Sequence, residues 1–381
     1  ATNDSYVTPF GTLDNPFPGG IKQPLGSALG VNTYLGQSVA FENQHLQQPY
    51  SVRWNFNIQH QLRKDLLIQV AYAGNHAVHL ATTSALNAIP AQYLSRTGQA
   101  DPAVISALSA VVANPFANLL PGTALNGATT TVGTLLRPFP QFSGDGGVTV
   151  GDRTNGSSYY NSIQLGIQKR YSNGLQFMGN FSHSRTMQRL SSLNSSEPNL
   201  LEKRVSSEDV PNHAVFSTSY DLPFGKGRRF GSNVGRLSNL LVGGWNLTAF
   251  YMYQTGTPIS FGNLIYYGGD LQLDPRNYLH TFDTSRFNTV SAQQLQFNYR
   301  TFPSAFNNLR SDGINNLDMS AIKQFQFLEH VGIQYRFEMF NVANHVQFDS
   351  PSVSATAKQF GTITGQSSLP RSIQIALRVV F

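Results

Sequence analysis

The chain contains no cysteine, so neither a disulfide framework nor a thiolate metal site can organise it. Charge is scarce as well. Charged residues make up 12% of the 381 positions, about half of the roughly 25% carried by a soluble globular domain. No run of about 18 apolar residues occurs that could form a transmembrane helix; the longest apolar-leaning stretch is the short segment 103–112. Residues 1–10 have neither the basic nor the apolar region of a signal peptide. The 26 basic and 20 acidic residues leave a net charge of +6 without a basic run, which gives no footprint for nucleic acid. Enzyme signatures are missing too. Neither H-E-x-x-H nor G-x-S-x-G is present, and FGKGRRFG at 224–231 lacks the spacing of a phosphate-binding loop.

Aromatic residues, by contrast, are plentiful, with 26 Phe and 16 Tyr, far more apolar surface than a disordered chain carries. They fall in an alternating pattern. In 50–62, Val52, Trp54, Phe56 and Ile58 alternate with Arg53, Asn55, Asn57 and Gln59, which gives a strand one apolar and one polar face. After Arg63, Lys64 and Asp65 the pattern resumes with Leu66, Ile68, Val70 and Tyr72, predicting a hairpin. The same unit recurs around Ser172-Asn173-Gly174, where Asn-Gly supplies the positive φ angles of a tight turn, and again around Leu328-Glu329-His330. Further strands fit 214–222, 244–256 and the terminal RSIQIALRVVF. The count is about nine strands of about ten residues, the length that crosses a bilayer at a tilt.

Short connections alternate with long ones. The segments 81–158, 185–212, 257–315 and 342–370 are rich in Gly, Pro, Asn, Ser and Thr, as the extracellular loops of an outer-membrane barrel are. Asp101-Pro102 predicts an N-cap and first turn for a helix over 103–113. The domain reading is an extracellular segment over 1–49, followed over 50–381 by antiparallel transmembrane β-barrel with those four loops. Nine strands cannot close an antiparallel barrel by themselves, so further strands are expected from another polypeptide, most simply the N-terminal piece of the same precursor. A soluble β-sandwich would also alternate, but the amide-rich face of Asn55, Asn57, Gln59, Gln61, Gln164, Gln168, Gln334 and Gln374 suits a wet lumen.

An ordered set of stretches resembles one family. These are NPFPGG from Asn15, PYSVRWNFNIQHQL from Pro49, YNSIQLGIQKRYSNGLQF from Tyr160, YDLPFGKGRRF from Tyr220 and GGWNLTAFYMYQTGTP from Gly243. FNNLRSDGINNLDMSAIKQF from Phe306, YRFEMFNVANHVQFDSP from Tyr335 and the final IALRVVF follow in order. Together they resemble the C-terminal part of the Oar-like TonB-dependent outer-membrane proteins. That resemblance implies a barrel of roughly 22 strands, a bacterial outer-membrane location, no cofactor, and energised uptake of a bulky substrate. It also implies four partners: outer-membrane lipid, the N-terminal barrel and plug portion, a TonB-type energising protein acting through that portion, and the barrel assembly machinery. Nothing in the chain resembles the plug or the TonB box.

On the polar faces, Arg53, Arg336, Glu338 and Arg378 are candidates for the lumen, as substrate contacts or as structural ion pairs. Ile373, Ile375, Leu377, Val379 and Phe381 resemble the C-terminal strand that barrels present for assembly. Asp270, Asp274 and Asp283 share one loop without the spacing of a known calcium site, and solvated acids are the simpler reading. His76 and His79 are three apart, on opposite faces of a strand, and make a poor metal pair. Two other functions stay open: a surface structural or adhesion protein that uses the barrel as an anchor, and a soluble extracellular β-rich carbohydrate-binding protein or hydrolase.

Overall fold

The computed structural model describes residues 13–17, 19–20, 28–273, 277–326 and 332–380. Nine strands run as one antiparallel meander, each hydrogen-bonded to its neighbours in sequence. They are β1 (Tyr50–Arg63), β2 (Leu66–Ala85), β3 (Val148–Ser172), β4 (Leu175–Arg189), β5 (Asn212–Asp221), β6 (Trp245–Gln254), β7 (Ile314–Gln326), β8 (Gly332–Phe340) and β9 (Ser372–Val380). Their number and order match the alternation in the sequence. Among the described residues β1 and β9 are the two margins of this path and do not pair with each other. No helix there is long and apolar enough to cross a membrane.

Register lines up residue types across the whole sheet. Ile58, Val70, Leu165, Phe181, Ala214 and Tyr253 stand side by side on six successive strands. One residue along, Asn57, Ala71, Gln164, Ser182, His213 and Gln254 form the neighbouring row on the opposite face. The pattern continues to the far margin, where Met319, Met339 and Ile373 form an apolar row beside Ser320, Glu338 and Gln374.

Among the described residues the apolar face is largely open, except at Trp245 and Lys323, which the connection between β5 and β6 covers. Relative exposure is 42% for Trp54, 46% for Leu165, 36% for Ile167 and 68% for Leu377. Leu165 and Ile167 lie on an interior strand, so an open margin does not explain them. Monomeric soluble proteins do not leave a continuous apolar sheet face in water. The dry core lies instead outside the meander, where Ile259, Phe261, Leu264, Leu271, Phe282, Phe287, Leu309 and Ala355 cluster.

The turns follow from local chemistry. Asn173 and Gly174 both take positive φ, 52° and 79°, as a type I′ turn demands. Gly74 faces Trp54 across β1 and β2, and a Cβ there would lie 2.2 Å from the indole ring, so glycine is what lets the indole lie flat over the strand. In the first hairpin, the Lys169 ammonium sits 2.5 Å from the Asp65 carboxylate, and the Ser172 hydroxyl donates to the same oxygen.

These two donors, Lys169 first, hold the Asp65 carboxyl down at about 2, against about 3.9 in an unfolded chain. A depressed acid contributes its stability above the unfolded value and loses it as pH falls through the folded one. The turn is therefore expected to stay clasped until pH falls below about 4 and to release near 2. In a carbon-detected NMR titration the Asp65 carboxyl should show its midpoint near 2, moving up toward about 3.9 in Lys169→Met. A midpoint near 4 in the unaltered protein would contradict the clasp.

The structure departs from the sequence reading at the loop boundaries. The expected loop over 81–158 is strand at both ends, because β2 runs on to Ala85 and β3 begins at Val148. Residues 148–158 are mostly Gly, Ser, Thr and charged, and three register irregularities interrupt the pairing between Val78 and Ser84, so no clean period survives. Likewise β4 extends into the loop expected from 185. The helix expected over 103–113 is Pro102–Ser109, capped by Asp101, whose Oδ1 accepts from Ala103 and Val104 N–H. It stops there because β-branched Val111 and Val112 enter a short strand, Val111–Ala113, paired with Thr129–Thr131. Within the expected 1–49 segment, Val39–Glu42 runs parallel to the start of β3. The third hairpin's connection at Leu328-Glu329-His330, Asp274 and Phe381 lie outside the described residues.

Candidate functional site

The connections after β2, β4, β6 and β8, all long, leave one end of the meander; those after β1, β3, β5 and β7, short except for 222–244, leave the other. In an outer-membrane barrel the long-loop end is extracellular. At that end the loops are folded rather than extended. Phe261 stacks on Phe287 at 5.1 Å and meets Phe282 edge-on at 5.3 Å, and Phe282 is 1% exposed. Edge-to-face pairs of this kind add to plain area burial. The short strands Pro258–Ser260 and Ala305–Arg310 pair beside this core.

Three loops are tied together. Asp209, fully buried, receives the Arg310 guanidinium at 2.6 Å and the Thr186 N–H at 2.5 Å. The Glu202 carboxylate accepts from the backbone N–H and hydroxyl of Ser304 at 2.7 and 2.6 Å. Asn298 Nδ2 donates to the carbonyls of Thr97 and Gln99 at 3.0 and 2.8 Å. Residues from the connections after β2, β4 and β6 thus form one cap.

A cleft of about 330 Å³ opens between them, with Arg137, Asn194, Ser196, Phe297, Asn298 and Arg300 among its lining residues. Its chemistry is polar. Arg300 is held by the carbonyls of Phe302 and Pro303 at 3.0 and 3.1 Å and lies over the Phe302 ring. Arg137 is paired with Asp145. Two buried polar atoms, Asn298 Oδ1 and Ser196 Oγ, have no hydrogen-bond partner among the described residues. An unsatisfied buried polar atom costs about 1–3 kcal/mol, so a guest bringing hydrogen-bond donors gains at this spot.

The residues singled out in the sequence are distributed as follows. Arg336 and Glu338 share the polar face of β8 with their charged atoms 3.9 Å apart, and Arg336 Nε donates to Gln334 at 2.7 Å. Arg378 stands opposite Gln334 on β9, so three of the four charged candidates are neighbours. Arg53 is opposite Asn75 at the other margin, far from them in the strand order. Ile373, Ile375, Leu377 and Val379 are all exposed on the apolar face of β9.

In the loop, Asp283 caps a short turn. Its carboxylate accepts from the Ser285 N–H and hydroxyl and from Arg286 Nε, and these contacts, the Ser285 hydroxyl foremost, hold it below the usual carboxylate range. Asp270 accepts from Gln272 N–H at 3.0 Å. His76 stacks on Tyr159 at 4.0 Å, while His79 sits at positive φ beside a register shift.

Sequence reading missed Asp209, Asn298, Ser196 and the aromatic core beneath them. The one available signal was the density of Phe and Tyr between 261 and 306, which exceeds what a solvated loop needs.

A sheet with one face apolar and exposed, the other rich in amides, and a folded cap at one end defines a wall of a membrane barrel. The chain matches the outer membrane beta barrel domain family over residues 1–374. It belongs to that family, and its place is the bacterial outer membrane.

No curated protein sequence matches the chain. Among solved structures, it is similar to the outer membrane transporter YddB of Escherichia coli, at 9% identity and a TM-score of 0.43, over 91% of this chain and 35% of that one. It is also similar to the FrpB iron transporter of Neisseria meningitidis (10% identity, TM-score 0.40, 89% of this chain and 32% of that one). A third is the ferripyoverdine receptor of Pseudomonas aeruginosa (11% identity, TM-score 0.38, 87% and 27%). The chain thus spans about a third of the length of these proteins or less.

Proposed function

We propose that the chain is the C-terminal barrel portion of a TonB-dependent outer-membrane receptor, and that its loop cap makes first contact with a bulky, hydrogen-bonding substrate. The observation that carries this reading is the pairing of an exposed apolar sheet face with a built polar cleft at the long-loop end. An anchor alone needs the first and has no use for the second.

In this reading the amide-rich face encloses the lumen. Arg336, Glu338 and Arg378 form a charged station on one side of the path and Arg53 stands on the other. Their work is to hold and pass a polar substrate, with no bond made or broken and no cofactor.

The margins β1 and β9 would each present unpaired N–H and C=O groups to hydrocarbon, at several kcal/mol apiece. Further strands therefore complete the barrel, to roughly the 22 of such transporters. We assign them, with the plug, to the N-terminal portion of the same precursor. A TonB-type protein acting through that portion would displace the plug, and β9 would carry the segment read by the assembly machinery.

Intact-mass analysis of protein purified from outer membranes tests the proposal. A plug-bearing N-terminal polypeptide, continuous with this chain or cleaved and retained, is the expected result. A barrel that closes from copies of this chain, with no plug, would overturn it in favour of a surface anchor.

A further inference from the structure

The connection between β5 and β6, residues 222–244, is unlike the other short-side turns. It contains Lys226, Arg228, Arg229 and Arg236 and no acidic residue. It also carries a short helix, α1 (Arg236–Val242), whose apolar side chains are turned outward. Leu237 and Leu241, one turn apart, are 81% and 76% exposed, and Phe224 and Phe230 are 45% and 49% exposed. The connection is ordered from within, since Asn239 Oδ1 accepts the Lys226 N–H at 2.7 Å.

What fixes this helix shows which way it faces. Its last carbonyls are held by two side chains from the sheet. Trp245 Nε1 donates to the Leu241 carbonyl at 2.8 Å, and Lys323 Nζ donates to the carbonyls of Leu241 and Gly243 at 3.1 and 2.6 Å. Trp245 and Lys323 stand in one row with Tyr335 and Leu377, which is the apolar, lipid-facing side. A lysine in that row breaks the alternation, yet it is 3% exposed. Its ammonium lies 5.0 and 5.1 Å from the ring centres of Trp245 and Phe325 and caps the C-terminal end of the helix, where cations are favoured. The helix is therefore attached to the outside of the barrel wall, at the periplasmic rim, and not beneath the lumen.

We infer that residues 222–244 form an interfacial anchor that binds anionic phospholipid of the periplasmic leaflet. Leu237, Leu241, Phe224 and Phe230 enter the boundary between headgroups and acyl chains, and Lys226, Arg229 and Arg236 engage headgroup phosphates. Arg228 lies within electrostatic reach of Asp221 at the end of β5. Exposed apolar residues beside cations that form no ion pair among the described residues, continuous with a lipid-facing surface, are what an in-plane interfacial segment requires. The inference rests on the membrane orientation of the barrel and not on its transport role.

The chain has no cysteine, so single labels are straightforward. Leu237→Cys, Leu241→Cys and, as a water-side reference, Ser238→Cys would each carry a nitroxide in the complete protein purified from outer membranes. The protein would be returned to vesicles of phosphatidylcholine alone or of phosphatidylcholine and phosphatidylglycerol in equal parts. Paramagnetic accessibility is expected to show severalfold more collision with oxygen than with a water-soluble nickel chelate at 237 and 241, and the reverse at 238. The preference should deepen in the phosphatidylglycerol vesicles and lose that dependence in Lys226→Gln/Arg229→Gln/Arg236→Gln. Labels at 237 and 241 as wet as 238 in both vesicles would overturn the anchor. Equal insertion in both vesicles would overturn its preference for anionic lipid. Neither result bears on whether a plug copurifies.

Discussion

Leu165→Arg is expected to cost the folded barrel about 2–4 kcal/mol in a bilayer, the price of an arginine on the lipid face near the midplane. Gln164→Arg, one residue earlier on the same strand, should change stability by less than about 0.5 kcal/mol, because it points to the amide-rich side. The contrast is large for adjacent positions because strand side chains alternate. A soluble sandwich predicts something different: Leu165→Arg would then bury a charge in a protein core and abolish folding in water. Denaturant titration of the complete protein in phospholipid vesicles, followed by the heat-dependent shift in gel mobility, measures both variants. Equal losses at 164 and 165 would contradict the assignment of faces.

The second large effect is expected at the cap. Asp209→Ala removes the carboxylate paired with Arg310 while leaving that guanidinium in a site where its side chain is only 14% exposed. Breaking a buried pair from one side costs up to about 3–5 kcal/mol, and the carbonyls of Asp209 and Gly256, which still accept from the guanidinium at 2.7 and 3.1 Å, set the loss toward the lower end. The Thr186 N–H also loses its acceptor. The loss should fall on the cap, because the meander has its own ladder of backbone bonds. Limited proteolysis should therefore open the connections after β4 and β6 in Asp209→Ala while β1 to β9 stay protected. Hydrogen exchange should show the same boundary. Cleavage no faster than in the unaltered protein would show that the pair does not hold the loops together.

Much of the meander was legible because its rules are local. Alternation over Val52 to Ile58 and over Ile163 to Ile167 needs only neighbouring residues, and Asn173-Gly174 sets its own turn. Above the membrane that legibility fails. In the first part of β3 the buried Val148 and Val150 give way to a run of Gly, Ser, Thr and charged residues with no clean period, and the strand shows through its pairing with β2 and with Val39–Glu42.

The cap was illegible for another reason. Asp209 and Arg310 are 101 residues apart, and Asn298 reaches back 201 residues to Thr97; no spacing rule spans such distances. Its core is aromatic but aperiodic, since the rings of Phe261, Phe282 and Phe287 come together through loop geometry. Lys323 illustrates the same limit within a strand. It is an exception in an otherwise apolar row, explained by helix carbonyls 80 and 82 residues away.

The reading as a whole turns on which side of the sheet meets hydrocarbon. A cysteine scan along β3 from Asn161 to Gln168, in the complete protein reconstituted in phospholipid bilayers, reads this directly. Fluorophores at 163, 165 and 167 should be quenched by nitroxides on lipid tails and those at 162, 164 and 166 by an aqueous quencher. Quenching with no period of two, or protection of 163, 165 and 167 from both agents, would place these side chains inside protein and contradict the account.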